Sequence, residues 1–133
     1  MPAVSVLVVD DEAVIRDTLA EFLAAEGLAV TTAATGEAGV RLAEAGGFDV
    51  ALCDLHLPGM DGLEVLDRLA AVSPDTAVVL VTAYATVETA VEAFQKGAAD
   101  YLMKPVILGE VAAKVRRLVA QREIVRENRS LRR

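Results

Sequence analysis

Cysteine occurs once in the 133 residues, at Cys53, and tryptophan does not occur at all. A lone thiol excludes an internal disulfide framework and a cysteine-rich zinc site. Its position inside an apolar run marks it as a small core residue. Aromatics make up only 4% of a chain that is 54% hydrophobic, so the core is built mainly from Val, Leu and Ala. There is a single histidine, His56, and any histidine chemistry would rest on it alone. No run approaches the roughly 20 apolar residues of a membrane span. No basic region precedes the first apolar run, as a signal peptide would require. These absences lead to the expectation of a cytoplasmic protein without membrane association, and the length suits one compact domain with a real core.

Positive charge is scarce over most of the chain. Residues 1–113 hold 5 basic and 18 acidic residues, a net −13, whereas residues 114–133 hold 8 basic and 2 acidic, a net +6. A reversal of sign on that scale marks a change of role near the C-terminus.

What is present is an alternation of short β-rich runs with longer helical patterns. "VSVLVV" (4–9) is Val and Leu apart from one Ser, as in a strand covered on both faces. "EAVIRDTLAEFLAAE" then places Ile15, Leu19, Phe22 and Leu23 on one helical face, with Gly27 as a C-terminal cap. "LAVTTA" reads as a second strand, "EAGVRLAEA" as a helix closed by Gly46 and Gly47, and "FDVALC" as a third strand. Asp61 and Glu64 open a helix carrying Leu63, Leu66 and Leu69 in the spacing of a capping box. "TAVVLVT" (76–82), "TVETAVEAFQKG" and "DYLMKP" supply a fourth strand, a helix ending at Gly97 and a fifth strand, and a long helix starts near Leu108. Such alternation implies parallel βαβ units with right-handed crossovers, hence a doubly wound α/β sheet. Ligands of such sheets bind outside the carboxyl ends of the strands, where the strand order reverses.

Chemistry-bearing residues gather at those predicted ends: Asp10 and Asp11 just past the first strand, Asp54 past the third, Thr82 past the fourth and Lys104 past the fifth. Alone, "DDE" (10–12) could complement a helix N-terminus, Thr82 could cap a helix and Lys104 could be a solvated turn residue. Together they form a rim of three carboxylates, a hydroxyl and an amine. Two carboxylates about 4 Å apart repel by roughly 4 kcal/mol at an effective dielectric of 20, so the cluster needs a proton, an amine or a cation. Hard oxygen ligands with positions left for water suit Mg²⁺. In "DVALCDLHLPGMDG" (49–62) the apolar strand stops at Asp54, and Gly59 and Gly62 let the loop turn away, which is expected to leave the Asp54 carboxylate exposed.

From Val4 to about Leu118 the chain resembles the receiver domain of bacterial two-component response regulators, through "VVDDE", "DLHLPGMDG", "LVTAYA" and "DYLMKP" in order. The resemblance implies a flavodoxin-like (βα)₅ fold with a five-stranded sheet in the order 2-1-3-4-5 and an extended C-terminal helix. It implies that Asp54 is the phosphoacceptor for a sensor histidine kinase, and that the domain is not a conventional enzyme beyond promoting its own phosphoryl transfer and slow self-dephosphorylation. Mg²⁺ would be bound by Asp54, by Asp11 directly, by Asp10 mainly through water and by the backbone carbonyl of His56. Lys104 and Thr82 would contact the phosphoryl group, Thr82 and Tyr101 would form the switch, and the Lys104–Pro105 peptide would be cis. Tyr84, two residues beyond Thr82, is expected to slow hydrolysis of the acyl phosphate. One departure from the family pattern is Ile107, which stands where a polar cap commonly begins the last helix.

The segment 114–133 has helix-forming composition without Gly or Pro. Val111, Val115 and Leu118 would pack on the sheet, and Ile124, Asn128 and Leu131 have the spacing of a short coiled-coil seam with a polar a-position. A receiver domain over 1–120 and the start of a helical linker over 121–133 are expected. The seam suggests a helix that pairs with its twin in a homodimer or leads into another domain. "ENRSLRR" resembles the linker that joins receivers to an ATPase domain in NtrC-type transcriptional activators, which implies an ATPase/DNA-binding output domain absent from this chain. The basic residues carry no helix-turn-helix pattern and no aromatics, so no direct nucleic-acid contact by this domain is expected. The alternatives are a stand-alone or phosphorylation-independent receiver acting through protein contacts, and a haloacid dehalogenase-like phosphotransferase. The latter requires a second acid two residues after the nucleophile, where this chain has His56.

Overall fold

The computed structural model describes residues 3–131, with side chains described as far as Ile124. Five strands and five helices alternate: β1 (Ser5–Val9), α1 (Ala13–Ala25), β2 (Ala29–Ala33), α2 (Gly36–Gly46), β3 (Val50–Asp54), α3 (Gly62–Val72), β4 (Ala77–Thr82), α4 (Val87–Gln95), β5 (Asp100–Met103) and α5 (Leu108–Leu131). All strand pairs are parallel, in the order β2-β1-β3-β4-β5. This is the flavodoxin-like arrangement with an extended last helix that the resemblance implies.

Strand alternation divides the core into two layers. Val6, Val8, Val50, Leu52, Val79 and Val81 point to one face, where Leu19 and Leu23 of α1 and Val111, Ala112 and Val115 of α5 cover them. Leu7, Val9, Ala51, Cys53 and Leu80 point to the other, beneath Val40, Val65, Leu66, Leu69 and Ala93 of α2, α3 and α4. Covering on both faces explains why the three central strands read as nearly unbroken Val/Leu runs. Truncating a fully buried residue such as Leu23 or Leu69 to Ala costs about 2–5 kcal/mol. Cys53 lies inside this core. Burial, followed by the charges of Asp54 and Asp10, pushes its thiol far up, so it stays protonated and unreactive.

The helices are held unevenly. The Asp61 side chain accepts the Glu64 N–H and starts α3. Gly27 takes φ +89° after α1, and the Leu28 N–H reaches back to the Leu23 carbonyl at 3.2 Å. The nine-residue α4 buries only Ala93, and Val87, Val91 and Phe94 on its surface are exposed. No polar cap precedes α5: Ile107 is exposed, and its carbonyl accepts the N–H groups of Glu110 and Val111. Farther along, Arg116 donates to the Glu26 carbonyl at 2.8 Å and Arg122 to the Asp49 carbonyl at 2.6 Å, so α5 stays tied to the body beyond residue 120. Ile124 is exposed. The seam side chains of Asn128 and Leu131 lie outside the described residues. Among the described residues, no helix is long and apolar enough to cross a membrane.

Candidate functional site

Because β1 pairs with β2 on one side and β3 on the other, successive connections leave β1 in opposite directions. The crevice lies between the ends of β1 and β3. Asp10 and Asp54 stand there. Asp10 continues the β1 ladder through its N–H to the Ala33 carbonyl (3.1 Å), and its own carbonyl accepts Arg16 Nη1 (3.0 Å). Asp54 is the last residue of β3, and Leu55 continues the ladder to the Val81 carbonyl at 2.9 Å.

The turn after β3 serves contact as well as reversal. A Cβ on Gly62 would lie 2.6 Å from both the Asp54 carbonyl oxygen and Leu55 Cα, so only glycine lets α3 begin this close to the acid. The Gly62 N–H donates to the Leu55 carbonyl at 2.9 Å. Gly59 turns the loop at φ +74°, a region that L side chains rarely adopt.

Each oxygen of both carboxylates accepts one hydrogen bond and keeps a lone pair to spare. Asp10 Oδ1 accepts the Glu12 N–H (2.9 Å) and Asp54 Oδ1 the His56 N–H (3.0 Å). The remaining oxygens, Asp10 Oδ2 and Asp54 Oδ2, accept from one ammonium, Lys104 Nζ, at 3.1 and 3.0 Å. Lys104 is aimed there by its own backbone, whose N–H donates to the Thr82 carbonyl at 2.8 Å. The following peptide to Pro105 is cis. Burial disfavours the ammonium, but the bonds to Asp54 and Asp10 outweigh it, and the Lys104 pKa lies above its ordinary value.

Glu12 joins this group. Carboxylate oxygens of Asp10, Glu12 and Asp54 all lie within 4.8 Å of one another, and Glu12 Oε1 is 4.0 Å from Lys104 Nζ. Three carboxylates against one ammonium leave a formal charge of −2, with only hard oxygen donors facing it. That donor set fits a divalent ion such as Mg²⁺.

Two expectations need correction. Asp54 and Thr82 do not follow their strands but end them. The Asp54 carboxylate is not exposed: it is 6% accessible, because Lys104 and the His56 backbone close over it. Asp11, beside this group in the chain, is exposed, and Glu12 brings a third carboxylate to Asp10 and Asp54. As part of "DDE", Glu12 is expected to complement the helix N-terminus. It is the N-cap of α1 yet makes no side-chain cap, and that released side chain is the signal overlooked.

Thr82 is fully buried, and its Oγ1 accepts the Tyr84 N–H at 3.0 Å. The exposed Tyr84 ring meets the His56 ring edge-on, with centroids 5.6 Å apart. Tyr101 pairs in register with Leu80, and Thr82 lies two residues farther along β4, so Tyr101 and Thr82 share a sheet face. The Tyr101 hydroxyl is 2.8 Å from Thr89 Oγ1, a partner that sequence reasoning missed because nothing local in the chain sets α4 beside β5.

The fold has counterparts among known proteins. Residues 6–116 match the family model of the response regulator receiver domain. The chain is 34% identical over 131 residues to the C4-dicarboxylate transport transcriptional regulatory protein DctD of Rhizobium meliloti, covering 98% of this chain but 28% of that protein. It is 39% identical over 115 residues to the DNA-binding transcriptional regulator NtrC of Escherichia coli, covering 86% of this chain and 24% of NtrC. A CheY-like response regulator receiver domain protein from Methanospirillum hungatei superposes with a TM-score of 0.89 at 34% identity, over 92% of this chain and 98% of that one. The chain thus spans about a quarter of the length of these two curated relatives.

Proposed function

This chain belongs to the response regulator receiver family of two-component systems, and on that premise we propose that Asp54 accepts a phosphoryl group from the phosphohistidine of a sensor histidine kinase. The observation that carries this reading is the buried Asp54–Lys104–Asp10 bridge at the mouth of the crevice. An Asp54 oxygen attacks phosphorus, the P–N bond to the histidine breaks with its electron pair returning to the ring, and a mixed anhydride forms on Asp54. Phosphoryl transfer requires mostly positioning and charge neutralisation.

The residues divide that work. An ammonium has three N–H donors; two of Lys104's serve Asp10 and Asp54, which leaves the third for a phosphoryl oxygen. Thr82 Oγ1 accepts from the Tyr84 N–H, so its own hydrogen is available to donate to the phosphoryl group. Asp10, Asp11, Asp54 and the His56 carbonyl would hold Mg²⁺, with Glu12 beside them. When bound, the ion would supply positive charge against the phosphoryl oxygens. Tyr84, standing over His56, slows the attack of water on the anhydride, so Tyr84→Ala should shorten the lifetime of the phosphorylated form.

Phosphorylation draws Thr82 inward, Tyr101 follows into the vacated space, and α4, β5 and α5 change surface. A bias of a few kcal/mol between two states suffices. Residues 1–120 act as the receiver and 121–133 as the start of a linker that joins a homodimer to an ATPase/DNA-binding output domain in the cytoplasm. The receiver itself touches neither nucleic acid nor membrane.

The decisive experiment incubates the chain with a small phosphodonor and Mg²⁺ and measures covalent phosphate. Incorporation should vanish in Asp54→Asn and on chelating the metal. Undiminished incorporation in Asp54→Asn would refute the assignment.

A further inference from the structure

We propose that Thr89 positions Tyr101 and joins its ring to the first turn of α4, so that release of the Tyr101 hydroxyl opens that turn. The inference rests on the reading above that Tyr101 moves on phosphorylation.

Thr86 and Thr89 form a reciprocal capping box. Thr86 Oγ1 accepts the Thr89 N–H at 3.1 Å, and Thr89 Oγ1 accepts the Thr86 N–H at 3.2 Å. Thr89 Oγ1 also lies 3.1 Å from the Thr86 carbonyl oxygen and 2.8 Å from the Tyr101 hydroxyl. A hydroxyl has one hydrogen and two lone pairs. With its hydrogen donated to the Thr86 carbonyl, Thr89 accepts from the Thr86 N–H and from the Tyr101 O–H, the shorter of its two hydroxyl contacts; the other is Thr86 Oγ1 at 2.9 Å. Tyr101 is therefore part of the α4 cap rather than a neighbour of it.

This matters because little else holds the turn. Helices shorter than about 12 residues are marginal without packing, and α4 has nine, with only Ala93 buried. Val87, Val91 and Phe94 form an exposed apolar stripe spaced four and three residues apart. When the Tyr101 ring swings toward Thr82, Thr89 loses a donor and the cap weakens. The same stroke loosens the helix that presents this stripe to a partner.

The test is amide hydrogen exchange on the full chain, read at Thr89, Ala90 and Val91. Tyr101→Phe keeps the ring and the Thr86–Thr89 box but removes the shared hydroxyl. Without phosphate it should speed exchange at these amides about fivefold, the effect of one lost hydrogen bond, and leave α2 unchanged. Thr89→Val should do at least as much, and Thr89→Ser should restore wild-type rates. Unchanged exchange in Tyr101→Phe overturns the coupling. A second arm adds beryllium fluoride and Mg²⁺ as a phosphate mimic to the wild type. Exchange there should rise to the Tyr101→Phe level. If Tyr101→Phe accelerates exchange but the mimic does not, the Thr89–Tyr101 coupling stands and the phosphorylation-driven motion of Tyr101 falls.

Discussion

The two ends of the sheet are both polar, and they solve opposite problems. At the carboxyl end, three carboxylates face one ammonium. At the amino end, Asp49 Oδ2 accepts the Ser5 N–H and hydroxyl at 2.9 and 3.2 Å, and the Asp49 N–H returns to Ser5 Oγ at 3.1 Å. Beside it, Thr76 Oγ1 donates to the Phe48 carbonyl at 2.7 Å and lies 2.6 Å from Ser73 Oγ. Among the described residues, no buried side-chain nitrogen or oxygen lacks a hydrogen-bond partner. Hydrogen-bond satisfaction therefore does not distinguish the functional end from the structural one. Crowding of like charge does: the amino end presents the single Asp49 carboxylate to neutral Ser5 groups, whereas the rim gathers three carboxylates around one ammonium, an excess that an incoming cation can complete.

Breaking the rim should have the largest effect. Lys104→Met leaves Asp10 and Asp54 facing each other without their shared cation, and denaturant unfolding should show a loss of about 3 kcal/mol. Adding Asp54→Asn to that variant should recover part of the loss, since it removes the repulsion. Simple packing at this site would give no such recovery.

Glycines sharpen the contrast next. Gly62→Ala drives a methyl into the Asp54 and Leu55 backbone and should cost about 2–3 kcal/mol. Gly46, at the opposite end, has nothing within 4 Å of an added Cβ. Its replacement by Ala in the last turn of α2 should leave stability equal or raise it by up to about 1 kcal/mol.

Thr76→Val removes a hydroxyl that serves Phe48 and Ser73. It should cost about 1–2 kcal/mol and leave phosphoryl incorporation intact. Reduced incorporation at equal folding would contradict the separation of the two ends.

The smallest effects are those of pH, and they differ in sign. Lys104 has a raised pKa in the folded chain, so its contribution is complete below about pH 10 and disappears as pH rises through the folded value. Asp100 opens β5 at the amino end. Burial opposes its ionisation, but Lys114 and the Tyr101 N–H prevail and hold its pKa below the ordinary value. Its contribution is complete above about pH 4 and is lost as pH falls through the folded value. Unfolding titrations should show the alkaline loss shrinking in Lys104→Met and the acid loss shrinking in Asp100→Asn.

The order of elements, the two-sided burial of β1, β3 and β4, and the positions of Asp10, Asp54, Thr82 and Lys104 at strand ends were all readable from the chain. Each depends on local period and punctuation: Val/Leu runs, helical spacing, and Gly or Asp at the breaks. Other features depended on direction and reach. That Glu12 reaches the rim follows from the path of the chain into α1, which composition does not encode. That Lys104 covers Asp54 follows from β4 and β5 carrying a residue 50 positions away to within 3.0 Å. Tyr101 meets Thr89 because β5 and α4 lie side by side.

Sequence by itself determined the alternating scaffold and which residues reach its carboxyl edge, because strand and helix periods are properties of neighbouring residues. Only the tertiary structure decided which charges share a partner. Coulomb attraction and hydrogen bonding depend on separations of a few ångströms, and those arise when distant segments pack.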